Sequence, residues 1–134
     1  GGEAPPYPRL REVLGGNGIV CLLGERDLTA HGVAVDFFRE TTTFPAGPAK
    51  LAIDTGAALL PVHAWFEGTD AAPAWGLKSD APVEVTTVEE TTQRLADCFA
   101  ANIAAHPADW HMLQPMWPGD RAFLPFRRPD RDRG

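Results

Sequence analysis

The sequence predicts an α/β domain, a mixed sheet flanked by helices. Three observations carry this prediction. GIVCLL, residues 18 to 23, is a continuous apolar run with β-branched residues, the pattern of a strand covered on both faces inside a parallel sheet. Val88, Thr92, Leu95, Phe99 and Ile103 form one stripe at helical spacing. Strand-like and helix-like segments then follow in the order strand, helix, strand, strand, helix, which is an α/β order.

Each element has a local reason. Residues 1–9, rich in Gly and Pro and lacking an initial Met, are expected to be linker-like, the internal linker of a fragment or a trimmed chain. A short helix is expected from Leu10 to Leu14, stopped by Gly15 and Gly16. After GIVCLL the chain turns polar at GERDLTAHG. VAVDFF, residues 33 to 38, reads as a second short strand, and RETTTFPAG as loop. Pro48 suits the first turn of a helix over residues 47 to 55, with Leu51 and Thr55 on one face and Gly56 as its stop. ALLPVHAWF, residues 58 to 66, reads as a strand that Pro61 places at an edge or a bulge. EGTDAAPAWG reads as a turn-rich connection and PVEVTT, residues 82 to 87, as another strand. Thr87 with Glu90, or Thr86 with Glu89, has capping-box spacing at the start of the striped helix, and Pro107 ends it. DWHMLQPMW is a compact aromatic segment. The charged tail, residues 119–134, is expected to be disordered.

Composition narrows the function. The 134 residues carry a net charge of −6, with 44% hydrophobic and 22% charged residues, which fits one globular domain. The acidic balance argues against nucleic acid as a partner. No apolar run approaches the roughly 20 residues that span a bilayer, and the N-terminal residues lack a signal-peptide pattern. The location expected is therefore cytoplasmic, or peripheral on the inner side of a membrane. Cys21 and Cys98 sit in apolar surroundings and read as buried reduced thiols; two cysteines build neither a disulfide framework nor a zinc cluster.

GERD, residues 24 to 27, is the first candidate site. Two carboxylates flank an arginine directly after a buried strand, and α/β sheets bind ligands beyond the carboxyl ends of strands. A carboxylate there can orient a base, bind a cation or accept from a sugar hydroxyl. A solvated ion pair is the plainer reading of the same residues. HGVAVD, residues 31 to 36, matches the H-x4-D spacing of a class of acyltransferases. Catalysis requires His31 and Asp36 to converge. In a strand, positions five apart point to opposite faces and lie about 16 Å apart, so the match reads as coincidence. A metal site from His31, Asp36, His63 and His111 has no spacing signature. His63 fits a hydrogen-bonded core residue, and His106 a helix C-terminus. FPAG opens a helix whose N-terminus suits an anion or is a plain joint. Trp65, Phe66, Trp75, Trp110 and Trp117 fit either an acyl- or membrane-facing surface or core aromatics.

Three long segments in order, IVCLLGERDLTAHGVAVDFFRE, FPAGPAKLAIDTGAALLPVHAWFEG and HPADWHMLQPMW, resemble the phosphatidylinositol mannoside acyltransferases of actinobacteria. These group with the bacterial lipid A and lysophospholipid acyltransferases. The resemblance runs from about Leu10 to Trp117. It implies a glycerolipid acyltransferase-like fold with an acyl tunnel. It also implies fatty acyl transfer from acyl-CoA to a mannose hydroxyl of a glycolipid, at the cytoplasmic membrane face. No cofactor beyond the acyl-CoA co-substrate is implied, and no metal. In that family the H-x4-D/E motif lies upstream of the segment resembling GERDLT. The chain thus resembles the C-terminal half of such an enzyme, residues 10–118 forming an incomplete domain, and an upstream half is an expected partner. By resemblance Glu25 is the acidic partner of the catalytic histidine, while Arg26 and Asp27 hold the loop or contact headgroup. The family continues FFGE where this chain has Phe38-Arg39-Glu40, so Arg39 stands at a tight turn. Two further readings stay open, a non-catalytic lipid- or partner-binding remnant and a metal-dependent hydrolase.

Overall fold

The computed structural model describes residues 6–27, 31–113 and 115–123. Its helices start and stop where local chemistry dictates. The longest, Val88–Ala105, opens at Thr87, whose hydroxyl accepts from the Glu90 N–H at 3.2 Å. The Glu90 carboxylate reaches back to the residue before the cap, accepting from the Thr86 hydroxyl at 2.5 Å, a variant of the capping box in which a hydroxyl stands in for the N-cap backbone N–H. Leu95, Ala96 and Ile103 are buried along its inner face. Thr92 is buried too, its hydroxyl donating to the Val88 carbonyl at 2.6 Å, which satisfies a polar group that burial would otherwise penalise. Gly47–Thr55 forms a second helix, with Pro48 in its first turn. Gly56, at φ 68°, ends it in the left-handed conformation. A third, Tyr7–Gly15, starts earlier than its sequence suggests and overlaps the expected linker. In chain order these are α1 (Tyr7–Gly15), α2 (Gly47–Thr55) and α3 (Val88–Ala105).

The strands form two separate antiparallel hairpins. The first joins β1 (Val33–Phe37) to β2 (Glu40–Phe44), with Val35 opposite Thr42 and Phe37 opposite Glu40. Val35, Phe37, Thr42 and Phe44 are buried, and the residues between them are exposed, the two-residue period of a half-buried sheet. The second joins β3 (Val62–Thr69) to β4 (Ala72–Ser79), with Trp65 opposite Gly76 and Phe66 opposite Trp75. A methyl at Gly76 would lie 2.0 Å from the Trp65 indole, so the ring lies over the glycine's bare backbone.

The core lies between α3 and the first hairpin. Val35, Phe37, Phe44, Ala96 and Ile103 form its buried cluster, with Phe99, Trp110 and Trp117 packed against it. Gln93 fixes the register. Its side-chain amide accepts from the Asp36 N–H at 2.9 Å and donates to the Asp36 carbonyl at 2.9 Å, occupying a strand edge as a neighbouring strand would. Behind the hairpin, the Trp117 indole N–H donates to the Phe37 carbonyl at 3.2 Å, and the Thr42 hydroxyl donates to the Met116 carbonyl. The turn Pro118–Phe123 follows.

Several expectations are corrected. Among the described residues there is not one mixed sheet but two hairpins, each of two strands. GIVCLL joins no ladder among the described residues, and Ile19 and Leu23 are 89% and 74% exposed. A strand is made by its neighbours, and the described residues supply none beside it. Cys21 is accordingly exposed, and Cys98 is half-buried. PVEVTT forms no strand; one backbone bond, from the Val83 N–H to the Leu59 carbonyl at 2.9 Å, ties it down. RETTTFPAG contains β2 and EGTDAAPAWG opens β4, because cross-strand pairing overrides local turn signals. Of the expected tail, residues 124–134 lie outside the described residues. Among the described residues no helix is long and apolar enough to cross a membrane.

The β1–β2 turn yields a prediction. Phe38 and Arg39 have φ of 51° and 68°, the two positive values of a type I′ turn, which Asn-Gly fits best. A left-handed residue with a side chain costs about 1–2 kcal/mol. Arg39→Gly is therefore expected to stabilise the chain by about 1 kcal/mol after the entropy of the unfolded glycine is offset. Thr87→Ala, losing a cap, is expected to cost about 1 kcal/mol. Thermal melts of the two variants should shift in opposite directions.

Candidate functional site

The GERD loop is pinned at both ends. Gly24 is buried, and a methyl there would lie 2.7 Å from two ring carbons of Phe99 on α3. Only a bare backbone fits at that closeness. At the other end the Asp27 carboxylate folds back over Gly32, where a methyl would meet Oδ2 at 2.2 Å and the Phe44 carbonyl at 2.8 Å. The loop thus bridges α3 and the head of the first hairpin. Glu25 and Asp27 are half-buried and Arg26 is exposed.

His31 and Asp36 have separate settings. Asp36 is on the outward face of β1, where its carboxylate accepts from the Thr41 hydroxyl at 3.2 Å; His31 is exposed and precedes the strand. Two of the other histidines, His63 and His106, gather on the β3 side of α3. His106 stacks on Trp65 with centroids 4.4 Å apart, and His63 lies 5.8 Å from both rings. His63 Nε2 is buried without a hydrogen bond, a correction to the satisfied core residue expected. His111 Nδ1 lies 3.2 Å from the Asp109 carbonyl. Among the described residues no group of three or more His, Cys, Asp or Glu is placed to hold a metal, so the hydrolase reading gains no support. α2 opens without a side-chain cap at Ala46, and nothing at FPAG points to a bound anion. Trp110 and Trp117 pack on Phe37 as core aromatics, whereas Phe66 and Trp75 pair on the exposed face of β3 and β4 with centroids 4.2 Å apart.

A polar cluster that sequence reasoning missed ties the second hairpin to α3. Lys78 pairs with Asp80 at 2.6 Å and donates to the Asn102 side-chain oxygen at 3.1 Å. The Asn102 amide donates to Asp80 at 2.6 Å. Hydrogen bonds from Lys78 and then Asn102 hold the Asp80 carboxyl below its ordinary value of 3.8. Burial, then the charges of Asp80 and Asp97, push the Cys98 thiol up. The one signal in the sequence was Asn102, an amide beside Ile103 on the apolar stripe of α3.

With this geometry in view, similarity to known proteins decides the family. A profile of the bacterial lipid A biosynthesis acyltransferases matches residues 9–118. The chain belongs to that family. Over 122 residues, 90% of its length, it is 58% identical to a phosphatidylinositol mannoside acyltransferase of Mycobacterium tuberculosis. It is 57% identical over 122 residues to the protein of the same name from Mycolicibacterium smegmatis. The match spans 37% of the first relative and 39% of the second. The chain thus spans less than two fifths of the length of the relatives it matches.

Two tests probe the geometry of this family member. Gly24→Ala places a methyl against Phe99, and overpacking of this kind costs about 1–3 kcal/mol. The expected result is a lower melting temperature, with faster amide exchange in residues 24–27 than in α2. The second test is a pH series. Because the Asp80 carboxyl is lowered on folding, its contribution is present above pH 3.8 and is lost as pH falls through the lower folded value. Asp80→Asn is therefore expected to melt below the parent near neutral pH, with the gap closing under strong acid.

Proposed function

We propose that this chain is the acidic-loop portion of an enzyme that transfers a fatty acyl group from acyl-CoA to a mannose hydroxyl of a phosphatidylinositol mannoside. The observation carrying this reading is 58% identity over 90% of the chain to a mycobacterial protein of that name. The reaction needs a base to take the proton of the mannose hydroxyl. The oxygen then attacks the thioester carbonyl, and the tetrahedral intermediate collapses with loss of CoA as thiolate. The histidine of the family's H-x4-D/E motif is the base in this reading. Glu25 accepts from its imidazole N–H, fixing the tautomer and steadying the imidazolium that forms. Arg26 and Asp27 hold the loop and contact the polar headgroup. The site works at the cytoplasmic membrane face, with the protein peripheral to the bilayer.

By itself the chain is inactive in this reading. Acyl transfer requires a base, and in this reading the base belongs to the family's H-x4-D/E motif upstream of the segment resembling GERDLT. A non-catalytic lipid- or partner-binding remnant is the second reading, favoured by the 37% span of the relative.

Mass spectrometry of lipid products distinguishes the two. Palmitoyl-CoA and a mannosylated phosphatidylinositol are incubated with this chain, with and without the unmatched portion of the Mycobacterium tuberculosis relative. Product is expected only when both are present. Glu25→Gln is expected to lower its rate by about 100-fold or more, as loss of a group that orients the general base does. Turnover by the chain alone would return His31 and Asp36 to the centre of the mechanism. No product in any tube, with both proteins folded, would assign the remnant.

A further inference from the structure

Gly32 has no conformational reason to be glycine. Among the described residues Gly56 and Gly68 have positive φ, and Gly32 does not. Space is the reason instead. A methyl there would run into the Asp27 carboxylate and would lie 2.8 Å from the Phe44 carbonyl oxygen. Phe44 cannot give way cheaply, because it is paired with Val33 at the head of the β1–β2 ladder. A side chain at residue 32 would therefore push Asp27 out. The Asp27 carboxylate occupies the volume that this side chain would take, and Asp27 is half-buried as a result. The two residues are five apart, so the chain between them closes back on itself at the head of the hairpin.

We propose that Asp27 is a positioning residue for Glu25, holding the acidic loop to the head of the first hairpin through the space left open at Gly32. The inference rests on the function proposed above and narrows it: Asp27 serves the loop and not the headgroup. Three considerations choose this role. The carboxylate is folded back onto Gly32, whereas a headgroup contact needs it turned outward. The phosphodiester of a phosphatidylinositol is an anion, and a second negative charge beside it repels. The third is the tether. Gly24 is buried with Phe99 against it, so one end of the loop is already fixed, and Glu25 follows in a bend. With that end alone fixed, the chain after Glu25 could swing. With Asp27 fixed as well, the pins are joined by roughly 10 Å of chain at most, and Glu25 lies between them. An orienting carboxylate has to stay within hydrogen-bond reach of its imidazole, and a misplacement of about 1 Å can cost 100-fold in rate. Phe99 also packs on Phe44 in the core, so its replacement would report on folding; Asp27 and Gly32 are the residues that report on the loop.

Kinetics and amide exchange test this together. The chain is combined with the unmatched portion of the Mycobacterium tuberculosis relative, and transfer from palmitoyl-CoA is followed by mass spectrometry against the concentration of mannosylated phosphatidylinositol. Asp27→Ala is expected to lower kcat by about 10- to 100-fold with the KM for the glycolipid unchanged. Asp27→Asn, which keeps an acceptor of the same shape, is expected to lose less. Gly32→Ala leaves every side chain of the loop in place but fills the volume that Asp27 occupies, and is expected to match Asp27→Ala. In a Glu25→Gln background neither is expected to cost more, because nothing is left to position. In the chain alone, Asp27→Ala is expected to speed amide exchange at residues 24–27 by about 10-fold, the loss of one polar contact, with α2 unchanged. A raised KM at unchanged kcat would overturn the proposal by returning Asp27 to the headgroup. A loss that adds to that of Glu25→Gln would overturn it by giving Asp27 a role of its own. Exchange at the parental rate in Asp27→Ala would overturn it as well. Absence of transfer by the unsubstituted pair removes the acyltransferase reading instead, and exchange in the chain alone then decides whether Asp27 holds the loop.

Discussion

Both hairpins and α2 are placed against α3. Its inner face buries Phe37 and Phe44 of the first hairpin, and full burial of one such ring contributes about 1.5–3 kcal/mol. That term is large but has no direction. Direction comes from Gln93, whose amide takes both backbone groups of Asp36. Two such bonds contribute about 1 kcal/mol each, less than the rings, but they fix which strand residue meets which helical turn. The same helix stops the GERD loop at Phe99 and receives the second hairpin through Asn102. Two-stranded hairpins are marginal alone, so α3 is what allows either to persist.

What was legible in the sequence was local. α2 and α3 were visible because a proline, a left-handed glycine and a threonine cap act within one turn of the residues they control. β1 was visible because its burial alternates. β2 was not, since ETTTF is rich in Thr; only opposite β1 do Thr42 and Phe44 become an inward face. β4 was hidden by Pro73 and Gly76, yet Gly76 is required there because the Trp65 indole lies over it. GIVCLL was the opposite failure. Its composition states the environment it needs, but no sequence window states who provides it.

The candidate site divides along the same line. That acidic residues directly follow the apolar run GIVCLL could be read without coordinates. Its anchors could not, because Phe99 is remote in sequence from Gly24 and the reason for Gly32 is a carboxylate folded back from Asp27. Lys78, Asp80 and Asn102 are likewise joined only by the packing of the second hairpin on α3. Contacts of this kind leave no periodic trace; at most they leave one misplaced residue, such as an amide on an apolar stripe.

The two anchors also decide which partner must move. From Gly24 to Asp27 the chain is three residue steps, roughly 10 Å when fully extended. Glu25 sits one step from the first pin, so its backbone has little reach. General base catalysis requires the orienting carboxylate within hydrogen-bond distance of the imidazole. On the function proposed for Glu25, a carboxylate so tethered cannot search for its histidine; the histidine has to be delivered to it.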